Sequence, residues 1–463
     1  MAAAANATRR IDDCLWIANG RLQIEGCDAG GLAQRFGTPI SVISEDQLRR
    51  NARRFTRALQ TAWPEGEGRV LPSIKANYTL ALRCALTQEG LGCDVFGPAE
   101  LHAALAGGVP PHLISVNGTG KTRPLLERAV GIGARITLDS VRELALARAV
   151  ARDLGRRAHV RFRVRPRYLE LQQRSDFSEG SVYATAQEYK PGIPTEELLA
   201  AGREAIAAPE LDVLGLMSHL GRHRSDLATW RAYAVSVAET IAELVDAWDG
   251  WQPRELDLGG GYSAPRDPNT WAYGGDVAQP VAPALEEVVE ALASGLRAGL
   301  AGRVPLDGVA LEIEPGRALH ADTGIHLTRV VNLKRQREPL AWSWVETDTT
   351  EMFLLDLLVE HCRFPVVAAE RMGEPAGDAV DVVGCSCGFD VLARQVQLPP
   401  VEIGDTLAFL DTGAYEDACA ANFNALPRPA IVLVNGSDAE IVRRAETIED
   451  VFARDVIPER LRP

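Results

Sequence analysis

The sequence predicts an α/β protein with a (β/α)8 barrel of the TIM type and a C-terminal all-β domain. Eight short apolar segments alternate with alanine- and leucine-rich helical segments over about 250 residues, as in such barrels. Reactive side chains cluster where these segments end, which fits a barrel better than the alternative, an open doubly wound sheet. After residue 320, short apolar segments separated by turns are typical of an all-β domain.

The composition is that of a globular chain and argues against two classes of partner. The chain has 463 residues and a formal net charge of −14. An acidic chain without a basic block is poorly suited to nucleic acid or to an anionic membrane surface. No apolar run is long enough to span a bilayer, and no signal peptide is recognisable. The eight cysteines lack the spacing of a disulfide framework, so we expect reduced thiols and a cytoplasmic protein.

Three domain segments are expected in chain order. Residues 1–36 contribute N-terminal strands to the β domain, including a pair around residues 14–24 joined by an Asn-Gly turn. Residues 37–320 form the barrel, and residues 321–463 form the C-terminal β domain. A polar and aromatic loop over about 170–190 is a candidate cover for the barrel mouth, or an interface element. The barrel strands are predicted at 70–75, 92–97, 113–118, 134–140, 159–166, 213–221, 255–261 and 309–317.

Polar residues and glycines stand at or just past the ends of these strands. In a barrel, the C-terminal strand ends meet at one mouth, where active sites form. The candidates are therefore Lys75, Asp94, Asn117, Arg163, His219, Gly259, Gly260, Gly261, Glu314 and Arg317.

Lys75 suggests a site of covalent attachment, and the glycines suggest a site that binds an anion. Lys75 ends an apolar strand that we expect to be buried, where desolvation disfavours a charged amine. The glycines of L-D-L-G-G-G-Y can turn backbone amides toward an anion, and Arg317 can bind phosphate through two hydrogen bonds. A tight turn alone would also explain the glycines.

Glu314 and His219 complete the pattern. Glu314 can serve as a metal ligand, as a base or as a partner for a ring nitrogen, whereas an ion pair with Arg317 is the structural alternative. Glu312 faces the same way but lies deeper in the barrel. His219 can cover an aromatic cofactor or be a core histidine. An amine, a phosphate cradle and a carboxylate together indicate pyridoxal phosphate (PLP), bound by Lys75 as a Schiff base.

The sequence resembles the fold-type III PLP-dependent decarboxylases, which include the diaminopimelate and ornithine decarboxylases and have an alanine racemase-like barrel. The matching segments are I-K-A-N, G-C-D-V-F-G-P-A-E-L, S-H-L-G, L-D-L-G-G-G-Y, E-P-G-R and D-T-G-A-Y. The resemblance implies that Lys75 forms the Schiff base, that His219 stacks on the cofactor ring and that Glu314 partners the pyridine nitrogen. It implies a phosphate site of Gly259, Gly260, Gly261, Arg317 and Tyr415. It also implies a homodimer with shared active sites.

Asp94 and Arg163 are further cofactor-binding candidates, because their strands end at the same mouth. Arg163 can also help to keep the lysine amine neutral. The family supplies a cysteine from the partner subunit as proton donor, and the matching segment here is G-C-S-C-G-F-D. Alignment on the glycines assigns this role to Cys387, whereas alignment on Asp390 assigns it to Ser386.

We favour Cys387, because a thiol is the better proton donor near neutral pH, with Cys385 as a third possibility. A metal site at C-x-C is the alternative, but it lacks a second ligand pair, so no metal is expected.

The substrate-binding positions depart from the family pattern. Gly388 stands where related enzymes carry an acidic residue. Glu360 can bind a distal amine, Arg363 can bind a carboxylate, and Asp390 is a third candidate. The sequence therefore predicts a decarboxylase of a diamino acid, or of a modified or conjugated amino acid from a siderophore or other specialised pathway. Its carbanion would be stabilised as a quinonoid and reprotonated by Cys387. An amino-acid racemase and a non-catalytic PLP carrier are the alternatives.

Overall fold

The computed structural model describes residues 8–165, 190–221, 226–266, 277–280 and 282–462. These residues form two compact units. The barrel unit contains residues 49–265 and 282–319, and the β unit contains the described residues up to 48, those from 266 to 280, and those from 320 onward. The predicted loop over 170–190 lies, apart from Lys190, outside the described residues.

The N-terminal strands form a small antiparallel sheet of the β unit. Asn19 and Gly20 join its second and third strands with φ angles of 52° and 74°, as a tight hairpin turn requires. The first elements are β1 (Arg9–Arg10), β2 (Leu15–Ala18), β3 (Arg21–Ile24), β4 (Cys27–Asp28), α1 (Ala29–Phe36), β5 (Ile40–Ser44) and α2 (Glu45–Ala62).

The expected boundary at residue 37 is wrong, because β5 belongs to the β unit. All five residues of β5 are buried, and the strand pairs with one C-terminal strand on each side. The barrel unit therefore begins at Arg49, within α2. The Oγ atom of Ser44 accepts the N–H of Gln47 at 3.0 Å, which caps this helix.

Eight parallel strands of the described chain form the predicted barrel. They pair in the order β6-β13-β12-β11-β10-β9-β8-β7. Backbone hydrogen bonds from Gly92 to Val70 and from Asp94 to Pro72, both 3.1 Å long, join β7 to β6 and close the ring. The strands are β6 (Gly68–Val70), β7 (Cys93–Val95), β8 (Ile114–Val116), β9 (Arg135–Leu138), β10 (Ala158–Arg163), β11 (Leu211–Met217), β12 (Glu255–Asp257) and β13 (Ala310–Ile313).

Every barrel strand ends before its predicted end, so the polar residues lie mostly in the loops of the mouth. Helices alternate with the strands along the chain. Ser140 caps one of them through the N–H of Glu143, and Gly155 ends it in the left-handed conformation. The helices are α3 (Leu80–Gln88), α4 (Pro98–Ala106), α5 (Arg123–Ile132), α6 (Val141–Leu154), α7 (Thr195–Ala207), α8 (Leu227–Ala247), α9 (Leu285–Leu300) and α10 (Arg317–His320).

The C-terminal part is rich in strands, as predicted. Strand β14 is long: its first half pairs with β5 and with a later strand, and its second half pairs with the strand that follows it. The elements are β14 (Gly324–Gln336), β15 (Trp342–Thr347), α11 (Asp356–Val359), β16 (Val366–Ala368), β17 (Ala379–Val383), β18 (Val391–Gln397), β19 (Thr406–Leu410), α12 (Glu416–Cys419), β20 (Ala430–Asn435), β21 (Asp438–Arg443) and α13 (Ile448–Val451).

Candidate active site

Lys75 lies in a single 3-10 turn, Ile74–Ala76, beyond the end of β6. The expectation of a buried strand lysine is wrong, because β6 ends at Val70 and the turn leaves the side chain exposed. The charge of Lys75 contributes to lowering the pKa of His219, after burial and Arg163. Lys75 therefore lies at the barrel mouth beside His219, accessible to a ligand.

His219 stands after β11 and is half-buried. Its Nδ1 atom accepts the N–H of Gly221 at 2.9 Å, which leaves the proton of the neutral ring on Nε2. Burial lowers the pKa of His219 well below its usual range, and the charges of Arg163 and Lys75 lower it further. The ring is therefore neutral at pH 7, which suits contact with the face of an aromatic cofactor.

The glycine segment after β12 packs tightly against the other site residues. Gly259 and Gly261 have φ angles of 68° and 106°. A Cβ atom at Gly260 would lie 2.4 Å from the carbonyl oxygen of Glu314, and one at Gly259 would lie 2.8 Å from Cδ2 of His219. Glycine is required here, because any side chain would displace the strand end that carries Glu314 or the ring of His219.

Glu314 lies just past β13 and is 4% exposed. The amide Nδ2 of Asn117 donates a hydrogen bond to its Oε1 atom. Burial raises the pKa of Glu314 well above its usual range, the neighbouring Asp257 and Asp94 raise it further, and Arg161 opposes them. A cation placed against this carboxyl would favour the ionised form, so the site suits a protonated ring nitrogen.

The remaining barrel candidates surround this pair. Asp94, inside β7, accepts the hydroxyl proton of Ser73 at 2.6 Å. Arg163 is the last residue of β10 and is half-buried. Arg317, at the start of α10, is 8% exposed. Lys75, Asp94, Asn117, Arg163, His219, Glu314 and Arg317 all belong to the barrel unit.

Three buried hydroxyl groups at this mouth fit a ligand rich in hydrogen-bond acceptors. Ser218, Tyr262 and Ser263 have no hydrogen-bond partner for their side chains among the residues that the structure describes. All three are neighbours of His219 or of the glycine segment. Buried polar groups are normally satisfied, so these hydroxyls indicate a bound group. The residues at the mouth therefore fit a phosphorylated aromatic cofactor.

Residues 384–390 form an irregular loop of the β unit between β17 and β18. Cys387 is exposed. The side chain of Asn424 contacts both the backbone N–H and the Sγ atom of Cys387. The Sγ atom of Cys385 instead lies 3.6 Å from the carbonyl oxygen of Asp348. Burial raises the pKa of the Cys385 thiol, and Asp390 raises it further.

Asp390 is placed differently from the sequence-based assignment to substrate binding. It is 1% exposed. Its carboxylate accepts the N–H groups of Glu351 and Ser386, both at 2.6 Å, and the hydroxyl of Thr350 at 3.1 Å. The assignment is wrong, because the carboxylate is directed to its own loop and is shielded from ligands.

The other candidates of the β unit lie near the ends of short helices. Glu360 follows α11 and is half-buried, whereas Arg363 is exposed. Tyr415 precedes α12 with a left-handed backbone, φ 68°, and is half-buried. Phe389, two residues after Cys387, is 97% exposed.

Sequence reasoning missed Arg161, the cation that pairs with Glu312 inside the barrel. Arg161 and Glu312 are fully buried, and Arg161 also pairs with Asp257 at 2.7 Å. The available signal was the alternation of period two in R-F-R and E-I-E, which places Arg161 on the face of Arg163 and Glu312 on the face of Glu314.

Two negative observations concern the described residues alone. No helix among them has the length and apolar character to cross a bilayer. Within the same ranges, no group of three or more histidine, cysteine, aspartate or glutamate residues could hold a metal ion.

Comparisons with known proteins agree with this geometry. Residues 45–321 match the family model described as pyridoxal-dependent decarboxylase, pyridoxal binding domain. A diaminopimelate decarboxylase from Methanocaldococcus jannaschii is 30% identical, over 97% of this chain and 98% of its own length. One from Actinosynnema pretiosum subsp. auranticum is 33% identical, over 95% and 94%. The crystal structure of the M. jannaschii enzyme in complex with L-lysine superimposes with a TM-score of 0.87, over 97% of this chain and 99% of that one.

Proposed function

Because this chain belongs to the fold-type III PLP-dependent decarboxylases, and is thus a PLP-dependent amino-acid decarboxylase, we propose roles for its site residues. Lys75 would hold the cofactor covalently through its side-chain amine. Gly259, Gly260, Gly261, Arg317 and Tyr415 bind the phosphate. When bound, PLP supplies a sink for the electron pair that remains after carbon dioxide leaves.

The environment of Glu314 is the observation that carries the proposal. Its carboxyl is buried, receives a hydrogen bond from Asn117 and faces Asp257, so a nearby cation is favoured. Glu314 holds a proton at the ring nitrogen of the cofactor, which strengthens the electron sink. The neutral ring of His219 covers one face of the cofactor and excludes water. Asp94 and Arg163 line the same mouth and orient the lysine amine.

The substrate is a diamino acid. Relatives named diaminopimelate decarboxylases support this class, as does the L-lysine complex of one of them. We place Glu360 at the distal amine and Arg363 at a distal carboxylate or other acidic group. Gly388 leaves room for a larger or modified side chain, as an amino acid of a specialised pathway would carry.

A carbon dioxide release assay tests the substrate class. The PLP-loaded enzyme is incubated with meso-diaminopimelate, lysine, ornithine and N-acylated diamino acids, and each product is checked for chirality. Release from at least one of them is expected. Inversion of chirality without gas release would instead favour the racemase alternative.

Cys387 of a partner subunit donates the proton to the product carbanion, so the active enzyme is a homodimer. Both loop cysteines are exposed, and the contacts of Asn424 with Cys387 support this role for Cys387. The raised thiol pKa of Cys385 disfavours that residue. Apolar side chains around it, such as Phe389 at 97% and Phe423 at 43% exposed, suit burial against a second copy. Asp390 shapes the loop that presents the thiol.

Mixed dimers test the shared site. Lys75→Ala and Cys387→Ala subunits, each inactive alone, are unfolded and refolded together. Random pairing yields half heterodimers, each with one site that retains both residues, so about a quarter of the wild-type activity should return. No recovery despite heterodimer formation would show that the two residues do not meet across an interface.

A further inference from the structure

The buried guanidinium of Arg161 is the centre of a polar network inside the barrel. Its side chain is fully buried on β10. The Nε atom donates to Oγ1 of Thr137 at 2.7 Å, and Nη2 lies 2.7 Å from a carboxylate oxygen of Asp257. Nη1 pairs with Glu312, and Nη2 also donates to the hydroxyl of Ser115. Burying a cation costs free energy unless the charge is paired. Here the guanidinium has the carboxylates of Asp257 and Glu312 and two hydroxyl groups as partners.

One branch of this network leads directly to Glu314. The Ser115 hydroxyl accepts from Arg161 and donates to Oδ1 of Asn117 at 2.6 Å. Nδ2 of Asn117 then donates to Oε1 of Glu314. All the donors point the same way along this chain, and hydrogen bonds in series polarise one another. Nη2 of Arg161 also lies 3.9 Å from Oε1 of Glu314, so the guanidinium acts on this carboxyl directly as well as through the chain.

We propose that Arg161 is a positioning residue that orients Glu314 and favours its ionised form through Ser115 and Asn117. The inference rests on the proposed role of Glu314 at the ring nitrogen. Thr137 accepts a hydrogen bond from Nε of the same guanidinium, but it lies on a branch that does not lead to Glu314. It therefore provides a matched control.

The electrostatics around Glu314 give the direction of the effect. The ionisable groups that act on it are Asp257, the last residue of β12, Asp94 on β7 and Arg161 on β10. Tyr262 also faces it. Asp257 and Asp94 disfavour the carboxylate, whereas Arg161 favours it. Breaking the relay leaves the direct approach of Arg161 to Glu314 in place, but it removes the hydrogen bond that orients Asn117 toward the carboxylate. Glu314 should then take up a proton at a higher pH than in the wild type.

Ser115→Ala and Thr137→Val test the relay in the PLP-loaded enzyme. The visible absorbance of the cofactor and kcat/KM are followed against pH, together with the dissociation constant of PLP. For Ser115→Ala, we expect the acid limb of both profiles to move up by about one pH unit, and kcat to fall about tenfold with little change in KM. Thr137→Val should stay within about twofold of the wild type, with an unshifted profile.

A second variant covers the case in which Ser115→Ala does not fold. Asn117→Ala breaks the next link and should shift the profiles in the same direction. In the variant that combines Ser115→Ala with Asn117→Ala, the pH profiles should shift no further than in Asn117→Ala alone, because the two links act in series. Equal effects of Ser115→Ala and Thr137→Val, or additive effects in the double variant, would overturn the proposal.

Glu314→Gln separates this inference from the proposed function. If that variant keeps wild-type absorbance and activity, the role of Glu314 at the ring nitrogen fails. If it loses both while Ser115→Ala behaves like Thr137→Val, only the relay fails.

Discussion

Asn424 contacts Cys387 with both ends of its amide. Its Oδ1 atom accepts the backbone N–H of Cys387 at 2.9 Å, and its Nδ2 atom lies 3.2 Å from the sulfur. These contacts fix the backbone and the thiol of the same residue.

The first prediction concerns the proton donor. Cys387→Ala should lower kcat by about a hundredfold or more, because a positioned acid is lost. Asn424→Gly, which tolerates the left-handed backbone of this residue (φ 57°), should lower kcat about tenfold through loss of orientation. Cys385→Ala is the matched control and should remain close to wild type. Steady-state kinetics check the order, and a larger loss in Cys385→Ala would refute it.

The second prediction concerns Asp390. Asp390→Asn places an amide N–H group against the donors that now bind the carboxylate, so it should lower the free energy of unfolding by about 2 kcal/mol. KM should change less than twofold, because the side chain is shielded from substrate. Asp378→Asn, at an exposed carboxylate, makes the same charge change and should be neutral. A rise in KM without loss of stability would restore the substrate-binding role.

The third prediction concerns Glu314. Glu314→Gln removes the negative charge beside the ring nitrogen and should lower kcat by about a hundredfold, with a small effect on KM. Glu314→Asp should retain part of the activity, because the charge remains. Kinetics combined with absorbance spectra of the bound cofactor provide the measurement. Equal activity of the Gln and Asp variants would argue against a role for the charge.

The fourth prediction concerns stability at mildly acid pH. Burial lowers the pKa of His326 to about 4, although Asp348 opposes the shift. Between the unfolded value of about 6.5 and pH 4, the unfolded chain binds a proton that the folded chain does not. The free energy of unfolding should therefore fall by up to about 3 kcal/mol as the pH falls over this range.

His326→Gln provides the comparison for this effect, because it cannot titrate and can still bond Ser41 and Thr349. Its urea midpoint should fall less steeply than that of the wild type between pH 6.5 and pH 4. Parallel curves for the two proteins would exclude His326 as the cause.

The order of the barrel strands follows from the sequence, because each strand corresponds to a local apolar segment that is followed by a polar turn. The boundary of the β unit does not. Strand β5 has the same local pattern as a barrel strand, and only its pairing with β14 and β20 assigns it. The exposure of Lys75 was also unpredictable, since the early end of β6 depends on the register of its neighbours.

The site divides along the same line. Glu314, His219 and the glycines could be found from motifs in the sequence, because their chemistry is local. Asn117 was a candidate from its place at a strand end, but its contact with Glu314 was not predictable. That contact and the ion pair of Arg161 with Asp257 join different strands, which only the barrel brings together. The role of Asp390 was misjudged because a carboxylate beside a reactive cysteine is equally consistent with substrate binding and with a structural role in the loop.

Covalent attachment of the cofactor to Lys75 is the claim on which the account depends most directly. The PLP-loaded enzyme is reduced with borohydride, digested and mapped by mass spectrometry. The peptide that contains Lys75 should carry the added mass of the reduced cofactor, and Lys75→Ala should not be labelled. Label on another lysine of the wild type, or none at all on a protein that binds PLP, would contradict it.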